Sequence, residues 1–124
     1  MRILVVDGAN VVGAVPDGWW ADRAGAAARL HEGLVAAELT FDSIVLVLEG
    51  RGRAGVAEGR RERVTTVHAP GSGDDEIVAQ ARRLASGGHD VTVATADRGL
   101  IDRLADVEIT VLGPRALRDR LRTR

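Results

Sequence analysis

The sequence predicts an α/β domain, a three-layer α/β/α sandwich around a central, parallel, five-stranded sheet. The chain has 124 residues, which is the size of one domain. Five short runs rich in Val and Ile contain almost no polar residues, as is typical of strands covered on both faces. Segments with helical spacing alternate with these runs, and such alternation favours parallel strands joined by right-handed crossovers. We therefore treat residues 1–124 as a single domain.

The elements follow from local patterns along the chain. Strands are predicted over residues 3–6, 44–48, 64–67, 91–94 and 109–112, and helices over residues 22–38, 74–85, 98–104 and 114–121. Asp22 is suited to cap the first helix, Gly87 ends the second, and Pro114 favours the start of the last. Residues 13–21, 50–61 and 69–73 are predicted to be irregular. We expect all three segments to lie at one edge of the sheet, where α/β proteins bind ligands.

Composition excludes several classes of chemistry. The chain has no cysteine, which excludes disulfides, thiolate zinc sites and cysteine nucleophiles. All 17 basic residues are arginine, so a P-loop lysine and Schiff-base chemistry are excluded as well. The net charge of −1 gives no overall attraction to nucleic acid or membranes. With no targeting segment or long apolar run in view, we expect a cytoplasmic domain and no membrane partner.

Acidic residues lie where the predicted strands end. Asp7 closes the first strand, Glu49 closes the second, and Asp97 follows the fourth. Asp74 and Asp75 open the helix after the third strand. Because the carboxyl ends of neighbouring parallel strands lie about 5 Å apart, we expect these carboxylates to converge.

Such a cluster of carboxylates needs a cation or bound protons. Two carboxylates about 4 Å apart repel each other by roughly 4 kcal/mol at an effective dielectric near 20. Carboxylate and water ligands suit Mg²⁺ or Mn²⁺, whereas the three histidines show no spacing typical of zinc ligands. Any one acid taken alone is expected to be a helix cap or turn former, above all Asp74 and Asp75. The joint pattern favours a functional site.

Positive charge is concentrated next to the predicted site. Arg51, Arg53, Arg60, Arg61 and Arg63 follow the second strand and are interspersed with glycines. Guanidinium groups suit phosphate oxygens, so we expect the first four to contact a nucleic-acid backbone. The alternative is an ordinary solvent-exposed loop.

Two tryptophans precede the first long helix. One of Trp19 and Trp20 is expected to pack against the start of that helix. The other is suited to stacking on a single-stranded base near the edge of the sheet.

Four segments together resemble a known family. VVDGANVVG (5–13), VLEGRGR (47–53), GSGDDEIV (71–78) and VATADRGL (93–100) are similar, in order and spacing, to the motifs of PIN-like nucleases. The resemblance is to the NYN branch and its YacP-like members. It implies a sheet of order 3-2-1-4-5 and a metal-dependent ribonuclease that hydrolyses RNA as an endonuclease and leaves a 5′-phosphate and a 3′-hydroxyl.

The resemblance also implies roles for individual acids. Asp7, Asp97 and one of Asp74 or Asp75 would hold one or two Mg²⁺ or Mn²⁺ ions. The motif match favours Asp75, whereas the helical angle shared with buried apolar residues favours Asp74. Glu49 stands where the family has an aspartate, and it would complete the metal site or orient the attacking water.

Polar neighbours and partners complete this interpretation. Asn10 and Thr95 would orient the acids or contact phosphate, and single-stranded RNA is the expected partner. A homodimer, a protein partner and association with the ribosome are left open. The longer Glu49 side chain and the short 50–61 segment favour an alternative, a catalytically impaired RNA-binding or toxin-like regulatory module. A small phosphohydrolase is a further alternative, although Asp7 is not followed by the D-x-D-x-T pattern of dehalogenase-like enzymes.

Overall fold

A computed structural model describes residues 1–122 and contains a six-stranded sheet with helices on both faces. The strands of this part of the chain are β1 (Arg2–Asp7), β2 (Ser43–Leu48), β3 (Gly59–Arg61), β4 (Val64–His68), β5 (Asp90–Ala94) and β6 (Thr110–Leu112). The α-helices are α1 (Gly8–Val12), α2 (Arg23–Ala36), α3 (Gly73–Ser86), α4 (Arg98–Arg103) and α5 (Pro114–Arg122). Short 3-10 helices span Trp19–Ala21 and Gly50–Gly55.

The sheet order is β3-β4-β2-β1-β5-β6. All five predicted strands are present, they pair in parallel, and they stand in the expected order 3-2-1-4-5. The strand count was wrong by one, because β3 adds an antiparallel strand outside β4 within the segment predicted to be irregular. Its three residues are exposed, so this strand carries no apolar pattern by which it could be found.

The register of the central strands brings the ends of β1 and β5 together. Val6 pairs with Ala94, so Asp7 and Thr95 follow side by side on neighbouring strands. On the other side of β1, Asp7 pairs with Val47 of β2. The acid that follows β2 therefore lies at the same edge of the sheet as Asp7.

Each face of the sheet has its own hydrophobic core. Leu4 and Val6 of β1 pack with α1, α2 and α5, whereas Ile3 and Val5 pack with α3 and α4. Because side chains alternate along a strand, Asp7 shares the face of Ile3 and Val5, which is the face that α3 covers. No helix among residues 1–122 is both long and apolar enough to cross a membrane.

A glycine allows α1 to begin directly at the end of β1. A Cβ at Gly8 would lie 2.6 Å from the Val47 carbonyl oxygen and 2.9 Å from a Leu48 methyl carbon. The start of α1 is therefore pressed against β2, and this contact fixes how the chain leaves Asp7. The sequence reasoning missed α1, whose five residues are too few to show a helical period.

We predict that Gly8→Ala lowers the free energy of unfolding by about 1–3 kcal/mol, because the added methyl group overlaps backbone that cannot move cheaply. Gly71→Ala is the matched control, since a Cβ there meets nothing within 4 Å, and it should change stability by less than about 0.5 kcal/mol. Urea denaturation measures both. Equal stability of the two variants would show that α1 does not approach β2 this closely.

Candidate functional site

Asp7 is the buried centre of the acidic edge, with only 4% of its surface exposed. Its Oδ1 accepts a hydrogen bond from the Asn10 backbone N–H at 3.3 Å, so the carboxylate caps α1. Its Oδ2 accepts a hydrogen bond from Thr95 Oγ1 at 2.9 Å. The carboxylate is thus held from both β1 and β5.

Asn10 and Thr95 connect this acid to the next one. The Asn10 side-chain oxygen accepts a hydrogen bond from the Ala96 N–H at 2.8 Å, and the Asp97 N–H donates to Thr95 Oγ1 at 3.1 Å. Asp97 in turn caps α4 by accepting the Leu100 N–H at 3.1 Å. Both residues expected to orient the acids therefore contact the acidic segments directly.

Glu49 lies against the start of α3. Its Oε2 accepts a hydrogen bond from the Gly73 N–H at 3.2 Å, and a Cβ at position 73 would lie 2.7 Å from its Oε1. Ser72 caps the same helix by accepting the Asp74 N–H at 3.1 Å. Gly73 was missed in the sequence, although a glycine directly before paired acids at a helix start is the signal that marks it. This close approach brings the first turn of α3 to the acidic edge.

Asp74, rather than Asp75, belongs to the cluster. The charge of Asp74 acts on Asp7, and the charges of Asp97 and Glu49 act on Asp74. The Asp75 side chain is 72% exposed and forms an ion pair with Arg103 at 2.9 Å. Of the two acids that the sequence left open, the geometry of the helix favours Asp74, because Asp74 shares the buried face of α3 and Asp75 does not.

Burial is the main electrostatic feature of Asp7. It raises the pKa of this carboxyl to about 6, against the lowering effect of the hydrogen bonds from Thr95 and Asn10. The negative charges of Asp74 and Glu49 add to the increase.

The pKa of Asp74 is also raised. Partial burial is the largest cause, followed by the charges of Asp97 and Glu49. Arg103 lowers this pKa, but its guanidinium is already paired with the neighbouring acid. The cluster is therefore short of positive charge, which is the condition in which a cation binds.

The donor set fits a hard divalent cation. Among residues 1–122, no three His, Asp or Glu side chains already stand close enough together to enclose a metal ion. Mg²⁺ does not require such a cage, because it keeps several waters and binds through one or two carboxylates. Asp7, Asp74 and Asp97 offer carboxylate oxygens in a region where negative charges already repel one another.

Two of the predicted phosphate-binding arginines lie close to the site. Arg51 and Arg53 belong to the 3-10 helix that directly follows Glu49. Arg53 donates to the Gly50 carbonyl at 3.1 Å and to the Ala69 carbonyl at 3.5 Å, which ties this helix to the end of β4. Arg51 is exposed and has no polar partner among residues 1–122.

Arg60 and Arg61 lie elsewhere, which corrects the expectation that they border the site. They belong to β3, where Arg61 pairs with Val64 at the start of β4, the end of that strand farthest from the acids. Arg61 also forms an ion pair with Glu32 at 2.5 Å. Arg63 donates to three backbone carbonyls between α2 and β2 and so supports the fold. The chain turns back in a hairpin, so nearness in sequence misled here.

Comparison with solved structures identifies the fold. The crystal structure of Rae1 (YacP) from Bacillus subtilis matches with a TM-score of 0.74 at 21% sequence identity, covering 98% of this chain and 75% of that one. This chain therefore has a YacP-like fold. It matches no family model, and no curated protein sequence matches it significantly. The fold resemblance seen in the four motifs is therefore confirmed by structure alone.

The pKa of Asp7 predicts an unusual pH dependence of stability. The folded pKa of about 6 lies above the ordinary value, so the native state binds a proton that the unfolded state releases. Stability without divalent metal should therefore fall as the pH rises from about 4 to about 6, by up to about 3 kcal/mol. Asp7→Asn removes this loss and should raise the free energy of unfolding at pH 7 by about 1–3 kcal/mol, with little effect at pH 4.

Urea denaturation in EDTA at both pH values measures this effect. Asp102→Asn on α4 is the control, because that exposed side chain has no polar partner in the described part of the chain. An Asp7→Asn variant that is less stable than wild type at pH 7 would show that the carboxylate acts mainly as a structural cap.

Proposed function

We propose that this chain is a metal-dependent endoribonuclease that hydrolyses phosphodiester bonds of single-stranded RNA in the cytoplasm. The observation that carries the proposal is the convergence of four carboxylates, those of Asp7, Glu49, Asp74 and Asp97, at the carboxyl edge of the sheet. The PIN-like fold supports it, since the family resemblance implies a ribonuclease with its site at this edge.

We assign the metal site to Asp7, Asp74 and Asp97, which would hold one or two Mg²⁺ or Mn²⁺ ions directly or through water. When bound, such an ion offsets the charge of the phosphate and lowers the pKa of water. Ionising the buried Asp7 carboxyl costs folding free energy. An acid that lowers stability in this way favours a functional role over a structural one.

The remaining residues of the site orient these acids and the substrate. Thr95 holds Asp7 through its hydroxyl, and Asn10 holds the segment before Asp97 through its side-chain oxygen. The Asn10 amide nitrogen has no partner among residues 1–122, so it is free to donate to a phosphate oxygen. Glu49 uses Oε2 to hold α3, which leaves Oε1 to orient the attacking water.

We propose RNA contacts for Arg51 and Arg53, which directly follow Glu49 in the 3-10 helix. Their guanidinium groups supply the positive charge that the acidic edge lacks and that a phosphate backbone requires. Arg60 and Arg61 have no part in this proposal, because β3 carries them away from the acids.

A second candidate is a PIN-like RNA-binding module with impaired catalysis. The observation that favours it is the use of Glu49 as a hydrogen-bond acceptor for the start of α3. A glutamate committed to holding a helix orients water less freely than a free carboxylate. Cleavage of labelled single-stranded RNA with Mg²⁺ or Mn²⁺, compared with RNA binding in EDTA, separates the two candidates.

Neighbouring acids on α3 give a matched test of the metal site. Asp74→Asn should reduce cleavage by at least about 100-fold, because it removes a carboxylate from the cluster. Asp75→Asn should change cleavage by less than about threefold, because its side chain is exposed and paired with Arg103. Single-turnover cleavage of labelled RNA measures both.

Isothermal titration with Mn²⁺ provides a second measurement for the same pair. Asp74→Asn should weaken Mn²⁺ binding, and Asp75→Asn should leave it unchanged. Loss of cleavage and of Mn²⁺ binding in Asp75→Asn alone would contradict the assignment, and it would return the site to the residue that the motif match favoured.

A further inference from the structure

A groove of about 350 Å³ opens directly beside the acidic edge, between α1, α2 and the 3-10 helix that follows β2. This volume is at the small end of the range for ligand pockets. Apart from Glu49 and Arg23, glycine and apolar residues line it. We name it the Trp19 groove, and its lining includes Gly8, Val12, Trp19, Leu48, Glu49 and Gly52.

Missing side chains leave this space open. Gly50 and Gly52 both line the groove. A Cβ at Gly52 would meet only the Cβ of Ala27, at the ordinary contact distance of 3.9 Å, and a Cβ at Gly50 would meet nothing within 4 Å. The groove is therefore open because glycines occupy positions where a larger side chain would fit.

Trp19 is the aromatic residue of the groove lining. Trp19 packs partly against the core and forms an edge contact with Trp20, their ring centroids 5.9 Å apart. Trp20 itself is 57% exposed. Unpaired bases of single-stranded nucleic acid stack on aromatic side chains such as tryptophan. This stacking does not depend on which base is present.

Positive charge flanks the groove. The Arg23 guanidinium carbon lies 5.4 Å from the centre of a Trp19 ring, and Arg51 comes between the two lining glycines in the sequence. Neither guanidinium forms an ion pair within residues 1–122. An unpaired base in the groove would therefore have cations available for the phosphates on either side of it.

The groove is continuous with the acidic edge. Gly8 directly follows Asp7, and Glu49 belongs to both the groove and the acid cluster. A base held in the groove would therefore leave its adjoining phosphate near the acidic edge.

Building on the proposed function, we propose that the Trp19 groove binds one unpaired nucleobase of single-stranded RNA, next to the phosphodiester that is cleaved. Trp19 supplies the stacking surface, and Arg23 and Arg51 contact the flanking phosphates. The groove thereby selects single-stranded over double-stranded RNA, because a paired base stays within its own stack.

Filling the groove tests this proposal. Gly52→Leu adds an apolar side chain where a Cβ has room, and it should weaken binding of a short single-stranded RNA by at least about tenfold. Ala54→Leu adds the same group to an exposed position of the same 3-10 helix outside the groove, and it should bind within about twofold of wild type. Fluorescence anisotropy in EDTA measures affinity without cleavage, and circular dichroism checks that both variants fold.

Tryptophan fluorescence tests the stacking itself. The chain has two tryptophans, so Trp20→Phe leaves Trp19 as the sole reporter. Single-stranded RNA should quench its emission, whereas an oligomer of the same length and charge that lacks bases should not. Equal quenching by both oligomers, or undiminished binding by Gly52→Leu, would overturn the proposal.

The two proposals fail in distinguishable ways. If cleavage with Mn²⁺ persists in Gly52→Leu with unchanged affinity, the nuclease stands and the base site is wrong. If bases quench Trp19 and Gly52→Leu loses affinity while wild type cleaves no RNA with either metal, the base site stands and the nuclease is wrong.

Discussion

The acidic edge of the sheet depends on the burial of one carboxylate, that of Asp7. Asp7 ends the central strand, and backbone and hydroxyl donors from two different segments hold it out of water. Two further acids act on it at a distance and raise its pKa in the same direction as burial. A protein that needed only a helix cap here could use a neutral residue at no electrostatic cost. We therefore propose that the arrangement serves the binding of a cation rather than folding.

Helix capping and the proposed function use the same side chains in this site. Asp7 caps α1, Asp97 caps α4, and Glu49 holds the first turn of α3. One oxygen of each acid accepts a hydrogen bond from a backbone N–H, which fixes the position of the carboxylate. Further lone pairs remain available to a ligand. The two interpretations of an acid at a strand end, a turn former or a metal ligand, thus do not exclude each other. The capping bonds orient the carboxylates before any ligand binds.

Sequence reasoning succeeded where burial leaves a strong pattern. Strands covered on both faces are continuous in Val and Ile, so their parallel pairing and the position of Asp7 followed from the sequence. It failed where the structure depends on geometry that local patterns do not record. The β3 hairpin has no apolar pattern, and it carries Arg60 and Arg61 away from the acids. A linear motif match favoured Asp75, although the angle of the helix pointed to Asp74.

Anomalous diffraction from a crystal soaked in Mn²⁺ shows whether a cation binds at the acidic edge. One or two peaks are expected within bonding distance of carboxylate oxygens of Asp7, Asp74 or Asp97, and they should be lost in Asp7→Asn. Ordered carboxylates with no peak among them, at a Mn²⁺ concentration that supports RNA cleavage, would contradict this expectation.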